Sequence, residues 1–467
     1  MSLIKSISGI RGTIGGVAGE NLTPVDIVKF TSAFAVIIKK ATKTPKTKLV
    51  IGRDARVSGK MVSDLVSATL TAMGIDIIDL GLSTTPTVEM AVVMEEAQGG
   101  IIISASHNPA EWNALKLLNH EGEFISAQDG EELLAIAEKD DIEYQKVMSL
   151  GSYTQDDSYL EKHIDAILAL DLVDVEAIKS KGFRVAVDAV NSTGGIAVPL
   201  LLEKLGVNPT KIEKLYCEPN GNFPHNPEPL PENIREIKKL IQNGQFDLGI
   251  IVDPDVDRLA FVSEDGRAFG EEYTLVAIAD YVLGKKKGAA VSNLSSTRAL
   301  KDVALRHGCT YEASAVGEVN VVEKMKEVGA VIGGEGNGGI ILPELHYGRD
   351  ALVGIALFLS YLANYGKSSG ILRATYPSYH IAKNKISLTE DIDLDFLLEQ
   401  MKSKYAKHEI NTIDGVKIEF EDSWVHLRKS NTEPIIRIYS EADSQQVAQH
   451  LGNKIIQDMN DFISEKV

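Results

Sequence analysis

The chain has 467 residues, of which 44% are apolar and 24% are charged, as in ordinary globular proteins. This length predicts three or four domains, which excludes a single small binding module, and the composition excludes a long disordered tract. The 48 basic and 66 acidic side chains give a net charge of −18, which argues against nucleic acid or an anionic membrane as a partner. Any anionic ligand must therefore be bound by a local basic cluster.

Two further features of the sequence bear on its location. The two cysteines, Cys217 and Cys309, lie far apart and outside any CxxC pattern, so neither a disulfide framework nor a zinc ribbon is indicated. The longest uncharged apolar run, 351–363, is shorter than the roughly 20 residues that cross a bilayer. No apolar segment typical of a signal peptide stands in residues 1–11. We therefore expect a cytoplasmic protein.

Strand and helix patterns alternate through most of the chain, which predicts mostly parallel sheets covered by helices. The first unit, 1–152, has predicted strands at 49–52, 76–80 and 100–104 and predicted helices at 58–73 and 87–96. Units at 153–258 and 259–368 repeat the alternation, with predicted strands at 183–187, 246–252, 289–293 and 328–333. The sequence thus predicts three tandem α/β domains with mixed, mostly parallel sheets.

A different pattern follows the apolar helix predicted at 350–364. The polar, glycine-containing stretch 366–370 is typical of a flexible linker. Beyond it, residues 372–467 contain predicted helices at 394–405 and 444–464 and predicted strands at 416–420, 425–428 and 435–438. This layout predicts a C-terminal α+β domain with an antiparallel sheet.

The first motif that can carry chemistry is Ser104-Ala105-Ser106-His107-Asn108-Pro109, directly after a predicted strand. Open α/β sheets bind ligands at the carboxyl ends of their strands, and a serine presented there can act as a covalent nucleophile. The hexapeptide alone is equally compatible with a polar turn in which serine caps a helix.

The second motif, Asp253-Pro254-Asp255-Val256-Asp257-Arg258, also follows an apolar strand. Alternate carboxylates in an extended loop can meet a hard cation such as Mg²⁺, and Arg258 could bind a phosphate at the same place. A calcium EF-hand is disfavoured because Arg258 occupies the position that requires glycine. A solvated acidic turn is disfavoured because the three carboxylates repel one another without a cation.

Two later loops are suited to a sugar phosphate. In Gly333-Gly334-Glu335-Gly336-Asn337-Gly338-Gly339 the glycines allow close approach of a ligand, and Glu335 and Asn337 can hydrogen-bond sugar hydroxyls. In Arg428-Lys429-Ser430-Asn431-Thr432-Glu433-Pro434, with Arg437 beyond it, hydroxyls and guanidinium groups provide the parts of a phosphate cradle.

Taken in this order, the four loops resemble those of the α-D-phosphohexomutase superfamily, and the resemblance covers essentially the whole chain. Ser8-Gly9-Ile10-Arg11-Gly12 resembles the opening motif of that superfamily, and Lys116 matches one of its active-site positions. The resemblance implies four domains around a central cleft and an isomerase of carbohydrate metabolism. Such enzymes interconvert hexose 6-phosphate and hexose 1-phosphate through a phosphoserine and a 1,6-bisphosphate intermediate.

Residue roles follow from the resemblance. It implies Ser106 as the phosphorylated residue, assisted by His107, Lys116 and Arg11. It implies Mg²⁺ as the cofactor, with Ser106, Asp253, Asp255 and Asp257 as its ligands. The implied substrate-binding residues are Arg258, Glu335, Asn337, Arg428, Ser430, Asn431, Thr432 and Arg437. The implied partners are a phosphosugar and a hexose 1,6-bisphosphate, with the chain as a monomer or a homodimer.

One departure from the superfamily pattern affects the acid–base step. Many relatives carry Ser-Gly-His after the glutamate of the sugar loop, whereas Asn337, Gly338 and Gly339 stand here. A general acid or base must then come from Lys116, Arg11, His107 or His346.

Other functions remain open at this point. The opening and closing motifs are most similar to those of bacterial phosphoglucosamine mutases, with phosphomannomutase/phosphoglucomutase as the alternative. A strand followed by Asp253-Pro254-Asp255-Val256 also resembles the nucleophile motif of haloacid-dehalogenase-like phosphatases, in which Asp253 would carry the phosphoryl group. A non-catalytic sugar-phosphate-binding protein is disfavoured by the presence of Ser106, Lys116 and all three aspartates.

Overall fold

The computed structural model describes residues 2–6, 9–42, 46–139, 141–387, 394–429 and 435–466. Strands within these ranges form four separate sheets, one in each of four successive parts of the chain. The first three sheets are mixed, and the fourth is antiparallel, which confirms the predicted fold class. No helix in these ranges has both the length and the apolar character needed to cross a membrane.

The first sheet has seven strands in the order β1-β2-β6-β5-β3-β4-β7. The elements of this part are β1 (Ile4–Ser6), β2 (Gly9–Thr13), α1 (Pro24–Ala41), β3 (Lys48–Arg53), α2 (Gly59–Ala72), β4 (Asp76–Leu82), α3 (Thr85–Met94), β5 (Gly99–Ile103), β6 (Trp112–Leu118), α4 (Ala127–Lys139) and β7 (Tyr153–Gln155). Strands β5, β3, β4 and β7 are parallel to one another, whereas β6 is antiparallel to β5. Leu49 and Ile51 pack under α1, α2 and α4, whereas Val50 packs under α3, so the central strand is apolar on both faces.

The second sheet has four strands in the order β11-β10-β8-β9, with β11 antiparallel to β10. Its part of the chain comprises α5 (Tyr159–Leu168), α6 (Val175–Lys181), β8 (Val185–Asp188), α7 (Gly194–Lys204), β9 (Ile212–Leu215), α8 (Arg235–Asn243), β10 (Leu248–Val252) and β11 (Leu259–Ser263). Strands β7 and β11 belong to the first and second sheets and lie just beyond the boundaries predicted at 152 and 258.

The third sheet repeats this plan in the order β13-β12-β14-β15, with β15 antiparallel to β14. The elements are α9 (Glu271–Lys285), β12 (Ala289–Asn293), α10 (Ala299–Arg306), β13 (Tyr311–Ser314), α11 (Glu318–Val328), β14 (Ala330–Glu335), β15 (Gly339–Ile341), α12 (Ala351–Tyr365) and α13 (Ser369–Arg373).

The prediction of a flexible linker at 366–370 is wrong. Gly366 caps α12 in the left-handed conformation, with φ of 73°, and the chain enters α13 at once. Ser369 is fully buried and donates a hydrogen bond to Glu264 at 2.9 Å, while Leu372 joins the large apolar core. The polar residues therefore anchor this turn to the end of β11.

The fourth sheet is antiparallel throughout, in the order β16-β20-β19-β18-β17. Its elements are β16 (His380–Ser387), α14 (Leu394–Lys404), β17 (Glu409–Asn411), β18 (Val416–Glu419), β19 (Trp424–Lys429), β20 (Ile435–Ala442) and α15 (Gln445–Lys466). Helices α14 and α15 pack on one face of this sheet.

Candidate active site

The serine loop begins where the buried strand β5 ends. Ser106 is 7% exposed and has φ of 47°, a left-handed conformation that serine rarely adopts. Its amide donates to Ser104 Oγ at 2.9 Å, and its own hydroxyl donates to Asp253 Oδ2 at 2.7 Å. The backbone is therefore held in a strained turn that directs the hydroxyl toward the aspartate loop of the second domain.

Arg56, which the sequence analysis did not identify, holds this turn in place. Its side chain is completely buried and stacks near the ring of Phe223, 5.0 Å from the ring centroid. Its Nη1 donates to the carbonyls of Pro109 (2.6 Å) and Trp112 (3.0 Å), and its Nη2 to those of Ser106 (2.5 Å) and Asn108 (2.6 Å). Its Nε donates to Asp54 Oδ2 at 3.0 Å, so all five N–H groups of the guanidinium are used.

The three aspartates of the second loop are fully buried, and their carboxylate oxygens lie within 4.8 Å of one another. Oδ1 of Asp255 and Oδ1 of Asp257 have no hydrogen-bond partner among the described residues. Burial, followed by the charges of Asp257 and Asp255, raises the pKa of Asp253 well above its ordinary value. Buried carboxylate oxygens that converge without donors form a donor set suited to Mg²⁺, so these residues fit the predicted ion.

Lys116 contributes a fixed positive charge to this cluster. Its Nζ lies 2.6 Å from Asp255 Oδ2 and 3.2 Å from Asp257 Oδ2. Burial lowers the pKa of Lys116, but the charges of Asp255 and Asp257 outweigh this effect, so the pKa lies above its ordinary value. An amine held in its protonated form is a poor general base at neutral pH.

His107, unlike Lys116, is held in its neutral form. Its Nδ1 lies 3.4 Å from Ser106 Oγ. Burial, followed by the charge of Arg258, lowers the pKa of His107 well below its ordinary value of 6.5, so the imidazole is neutral at neutral pH. Of the four candidates for the acid–base step, His107 is the neutral base beside the serine. His346 instead faces Glu89 and Asp350, at 3.5 Å from each.

Two arginines lie close enough to repel each other. The charge of Arg258, together with burial as the larger cause, lowers the pKa of Arg11, and Nε of each has no hydrogen-bond partner among the described residues. Arg258 also pairs with Glu228 at 3.0 Å. Guanidinium groups with free donors next to a neutral imidazole favour an anion such as phosphate between them.

Arg349, also missed from the sequence, connects the aspartate loop to the sugar loop. It donates to Asp257 Oδ2 at 2.7 Å, to Glu335 Oε2 at 3.0 Å and to Glu318 Oε2 at 3.0 Å. Burial would raise the pKa of Asp257, but the charges of Arg349 and then Lys116 outweigh it and hold that pKa below its ordinary value. Asp257 is therefore held in its ionised form, next to Asp253, whose pKa is raised.

The sugar loop is the turn between β14 and β15. Glu335 accepts a hydrogen bond from Asn293 at 2.8 Å, and Asn337 Oδ1 accepts one from the Gly339 amide at 3.1 Å. A Cβ atom on Gly336 would lie 2.0 Å from Glu272 Oε2, so any other residue here would displace that carboxyl group.

The fourth domain brings two further arginines toward this loop. Arg428 and Arg437 are directly opposite each other on β19 and β20. Burial lowers the pKa of Arg428, the charge of Arg437 lowers it further, and the charge of Glu335 acts in the opposite direction. Like charges opposite each other destabilise a sheet unless an anion lies between them. Ser430, Asn431 and Thr432, like Ser8, lie outside the described residues.

This combination of four sheets with a serine loop, an acidic loop, a sugar loop and paired arginines defines a phosphohexomutase. Family models for phosphoglucomutase/phosphomannomutase match along the chain: α/β/α domain I at residues 4–143, domain II at 161–266, domain III at 270–379 and the C-terminal domain at 386–457. The chain belongs to the phosphoglucomutase/phosphomannomutase family, within the α-D-phosphohexomutase superfamily, and is an isomerase.

Relatives of nearly equal length carry more than one sugar name. The chain is 34% identical over 454 residues to a phosphoglucomutase/phosphomannomutase of Thermococcus kodakarensis, covering 96% of this chain and 98% of that protein. It is 30% identical over 468 residues to a phosphoglucosamine/phosphogalactosamine mutase of Sulfurisphaera tokodaii, and the match covers 97% of this chain and 98% of that protein. The crystal structure of a phosphoglucomutase/phosphomannomutase family protein from Burkholderia thailandensis shares the fold, with a TM-score of 0.84 and 24% identity. The match covers 98% of this chain and 97% of that chain.

Proposed function

We propose that this phosphohexomutase converts glucosamine 6-phosphate to glucosamine 1-phosphate through a phosphoserine at Ser106 and a glucosamine 1,6-bisphosphate intermediate. The main support for this proposal is the position of the Ser106 hydroxyl, which lies 2.7 Å from Asp253 Oδ2 and 3.4 Å from Nδ1 of the neutral His107 imidazole. The matched relatives are mutases, and nothing in them supports the phosphatase alternative with Asp253 as nucleophile.

The first half-reaction follows from the side chains around Ser106. The bond between Ser106 Oγ and phosphorus breaks, and a new P–O bond forms to O1 of the 6-phosphate substrate. The proton of the attacking hydroxyl passes to the neutral imidazole of His107, which gives it to the departing Ser106 Oγ, so the serine hydroxyl is restored. Arg11 and Arg258 bind the oxygens of the transferred group. In the second half-reaction the turned bisphosphate returns its other phosphoryl group to Ser106.

Charge balance in this site depends on cations of the chain and on the metal. Mg²⁺ bound by Asp253, Asp255, Asp257 and an oxygen on Ser106 would neutralise charge on the transferred group. Lys116, held in its protonated form, keeps two of these carboxylates oriented. Arg428 and Arg437, with Ser430, Asn431 and Thr432, would bind the phosphate that does not react, which fixes the sugar in one of its two orientations.

The preference for an amino sugar is supported by the acidic surroundings of the sugar loop. Glu272 touches Gly336 and accepts a hydrogen bond from the Thr297 amide at 2.9 Å. Burial raises the pKa of Glu272 to about 8, so at neutral pH this carboxyl is mostly protonated. An ammonium group brought near it favours the ionised form and gains an ion pair, which a neutral hydroxyl cannot offer.

A coupled mutase assay with glucosamine, glucose and mannose 6-phosphates tests the sugar preference. We expect the highest kcat/KM with glucosamine 6-phosphate, and Glu272→Gln should lower this value about tenfold while leaving glucose 6-phosphate nearly unchanged. Glu344→Gln, which removes a surface partner of Lys286, is the matched control. Equal or higher kcat/KM with glucose or mannose phosphate would favour phosphoglucomutase/phosphomannomutase activity, the activity named for the Thermococcus relative.

The two cysteines support a cytoplasmic location for this activity. Cys217 is half-buried and Cys309 is buried, and both are free thiols. Free thiols are typical of reducing compartments.

A further inference from the structure

A second cluster of buried ligating side chains lies beside the aspartate loop and takes no part in the reaction proposed above. His163 on α5, Asp350 at the start of α12 and His346 in the preceding loop bring their ligand atoms within 4.8 Å of one another. The side chains of His163 and Asp350 are completely buried, and that of His346 is 9% exposed. They bring together the second and third domains.

Two distances in this cluster are close to those of a tetrahedral metal site, although the shorter one is also a hydrogen bond between His163 and Asp350. Asp350 Oδ2 lies 3.0 Å from His163 Nε2 and 3.5 Å from His346 Nε2. In a tetrahedral site with bonds of about 2.0 Å, neighbouring ligand atoms are about 3.3 Å apart. The two measured distances lie on either side of this value, and both are measured to the same carboxylate oxygen.

The remaining atom of each ligand is oriented by a partner outside the cluster. His163 Nδ1 lies 3.0 Å from Thr87 Oγ1, which leaves Nε2 as the ligand atom. Asp350 Oδ1 accepts hydrogen bonds from the amides of Leu352 (2.8 Å) and Val353 (3.3 Å), which leaves Oδ2 as the ligand atom. Protein metal sites use such outer partners to fix the histidine tautomer and the direction of the carboxylate.

The third ligand has the same arrangement but lacks a good hydrogen bond. His346 Nδ1 faces Glu89 Oε2 at 3.5 Å, the geometry of a carboxylate–histidine pair behind a metal ligand. Among the described residues, neither ring nitrogen of His346 nor Glu89 Oε2 has a hydrogen-bond partner, and the Glu89 side chain is 2% exposed. Buried polar atoms without partners in the protein are available to bind a ligand.

We propose that His163, His346 and Asp350 form a second metal site, distinct from the magnesium loop, which takes a borderline transition ion such as Zn²⁺. Two imidazoles and one carboxylate form a donor set that suits zinc, whereas the oxygen-only aspartate loop suits magnesium. Glu89 and Thr87 come from the first domain, so the ion would join three domains directly behind Arg349, which contacts Asp257.

Cobalt provides a spectroscopic test that does not depend on activity. The full-length protein, freed of metal and then saturated with Mg²⁺, is titrated with Co²⁺ and with Zn²⁺. We expect one equivalent of Co²⁺ to give the intense visible absorption of a tetrahedral site with imidazole ligands, and Zn²⁺ to displace it. The Asp255→Asn variant, altered only in the magnesium loop, should keep this spectrum.

Four variants separate the proposal from adventitious binding. His346→Ala should abolish the tetrahedral spectrum, and Glu89→Gln should weaken Co²⁺ binding about 10- to 100-fold by removing the outer partner. If His346→Ala fails to fold by circular dichroism, His163→Gln replaces it. His307→Ala, which removes a histidine 2.6 Å from Asp280 in a pair without a second imidazole, is the matched control and should bind Co²⁺ as the parent protein does.

Two outcomes would overturn the proposal. One is the absence of a tetrahedral cobalt spectrum in the parent protein at stoichiometric Co²⁺. The other is a spectrum that survives in folded His346→Ala and His163→Gln but disappears in Asp255→Asn, which would place the ion in the aspartate loop. Neither result would bear on phosphoryl transfer through Ser106, because the readout is metal coordination.

Discussion

Arg56 provides the most quantitative test of how the serine loop is held. All five of its N–H groups donate to buried or part-buried acceptors, four of them carbonyls between Ser106 and Trp112. Lysine at this position keeps the charge but offers three donors, so at least two of these acceptors lose their partners. Each such loss costs about 1–3 kcal/mol, so Arg56→Lys should destabilise the first domain by about 2–6 kcal/mol.

The same change should reduce catalysis more than it reduces substrate binding. Ser106 has φ of 47° and depends on these contacts to stay in that conformation. A displacement of about 1 Å of a reacting group typically costs about 100-fold in rate, so kcat should fall on this order while KM changes little. Urea unfolding and steady-state kinetics on the same preparation measure both effects.

Arg267→Lys is the matched control, because Arg267 forms an exposed ion pair whose arginine side chain is 87% exposed. This change should shift the free energy of unfolding by less than about 0.5 kcal/mol and leave kcat unchanged. An Arg56→Lys variant with the parent urea midpoint and the parent kcat would refute the role assigned to Arg56.

Three further predictions concern the metal loop, the fourth domain and pH. Chelation should stop turnover and Mg²⁺ should restore it, and Asp255→Asn should lower kcat at least about 100-fold. If the Asp255→Asn variant kept full activity and full Mg²⁺ affinity, the aspartate loop would have only a structural role. Arg428→Ala should lower kcat/KM about 10- to 100-fold through one lost charge-assisted contact to phosphate, whereas unchanged kinetics would remove Arg428 from the site. Burial lowers the pKa of His426 from 6.5 to about 4, so the unfolded chain binds this proton first and stability falls as pH drops from about 6.5 to 4. In urea titrations His426→Gln should flatten this part of the pH dependence, and an equal slope in both proteins would contradict the assignment.

The element pattern was predictable because it rests on local periodicity. The strand predicted at 289–293 is Ala289–Asn293, and the helix predicted at 58–73 is Gly59–Ala72. The edge strand His380–Ser387 was missed because its residues alternate between exposed and partly buried without a strong apolar face. The turn at 366–370 was misjudged because its composition is polar, while its order comes from Glu264, more than 100 residues away.

The site was predictable only where its residues form short motifs. The serine loop and the aspartate loop each follow a buried strand, and their convergence was implied by the resemblance to the phosphohexomutase superfamily. Arg56 and Arg349 belong to no such motif, and their partners lie about 50 and 90 residues away. The acid–base assignment needed the structure too, since the burial of His107 and its distance from Arg258 decide its protonation state.

Phosphoryl transfer through Ser106 is the central claim, and the fate of labelled phosphate tests it most directly. The dephosphorylated protein is incubated with glucose 1,6-bisphosphate labelled in its phosphates, and the protein is then chased with unlabelled sugar monophosphate. We expect one acid-stable phosphate on Ser106, its loss to the sugar during the chase, and no label or turnover in Ser106→Ala. Label on Asp253 in an acid-labile form, or full turnover in Ser106→Ala, would contradict the mechanism.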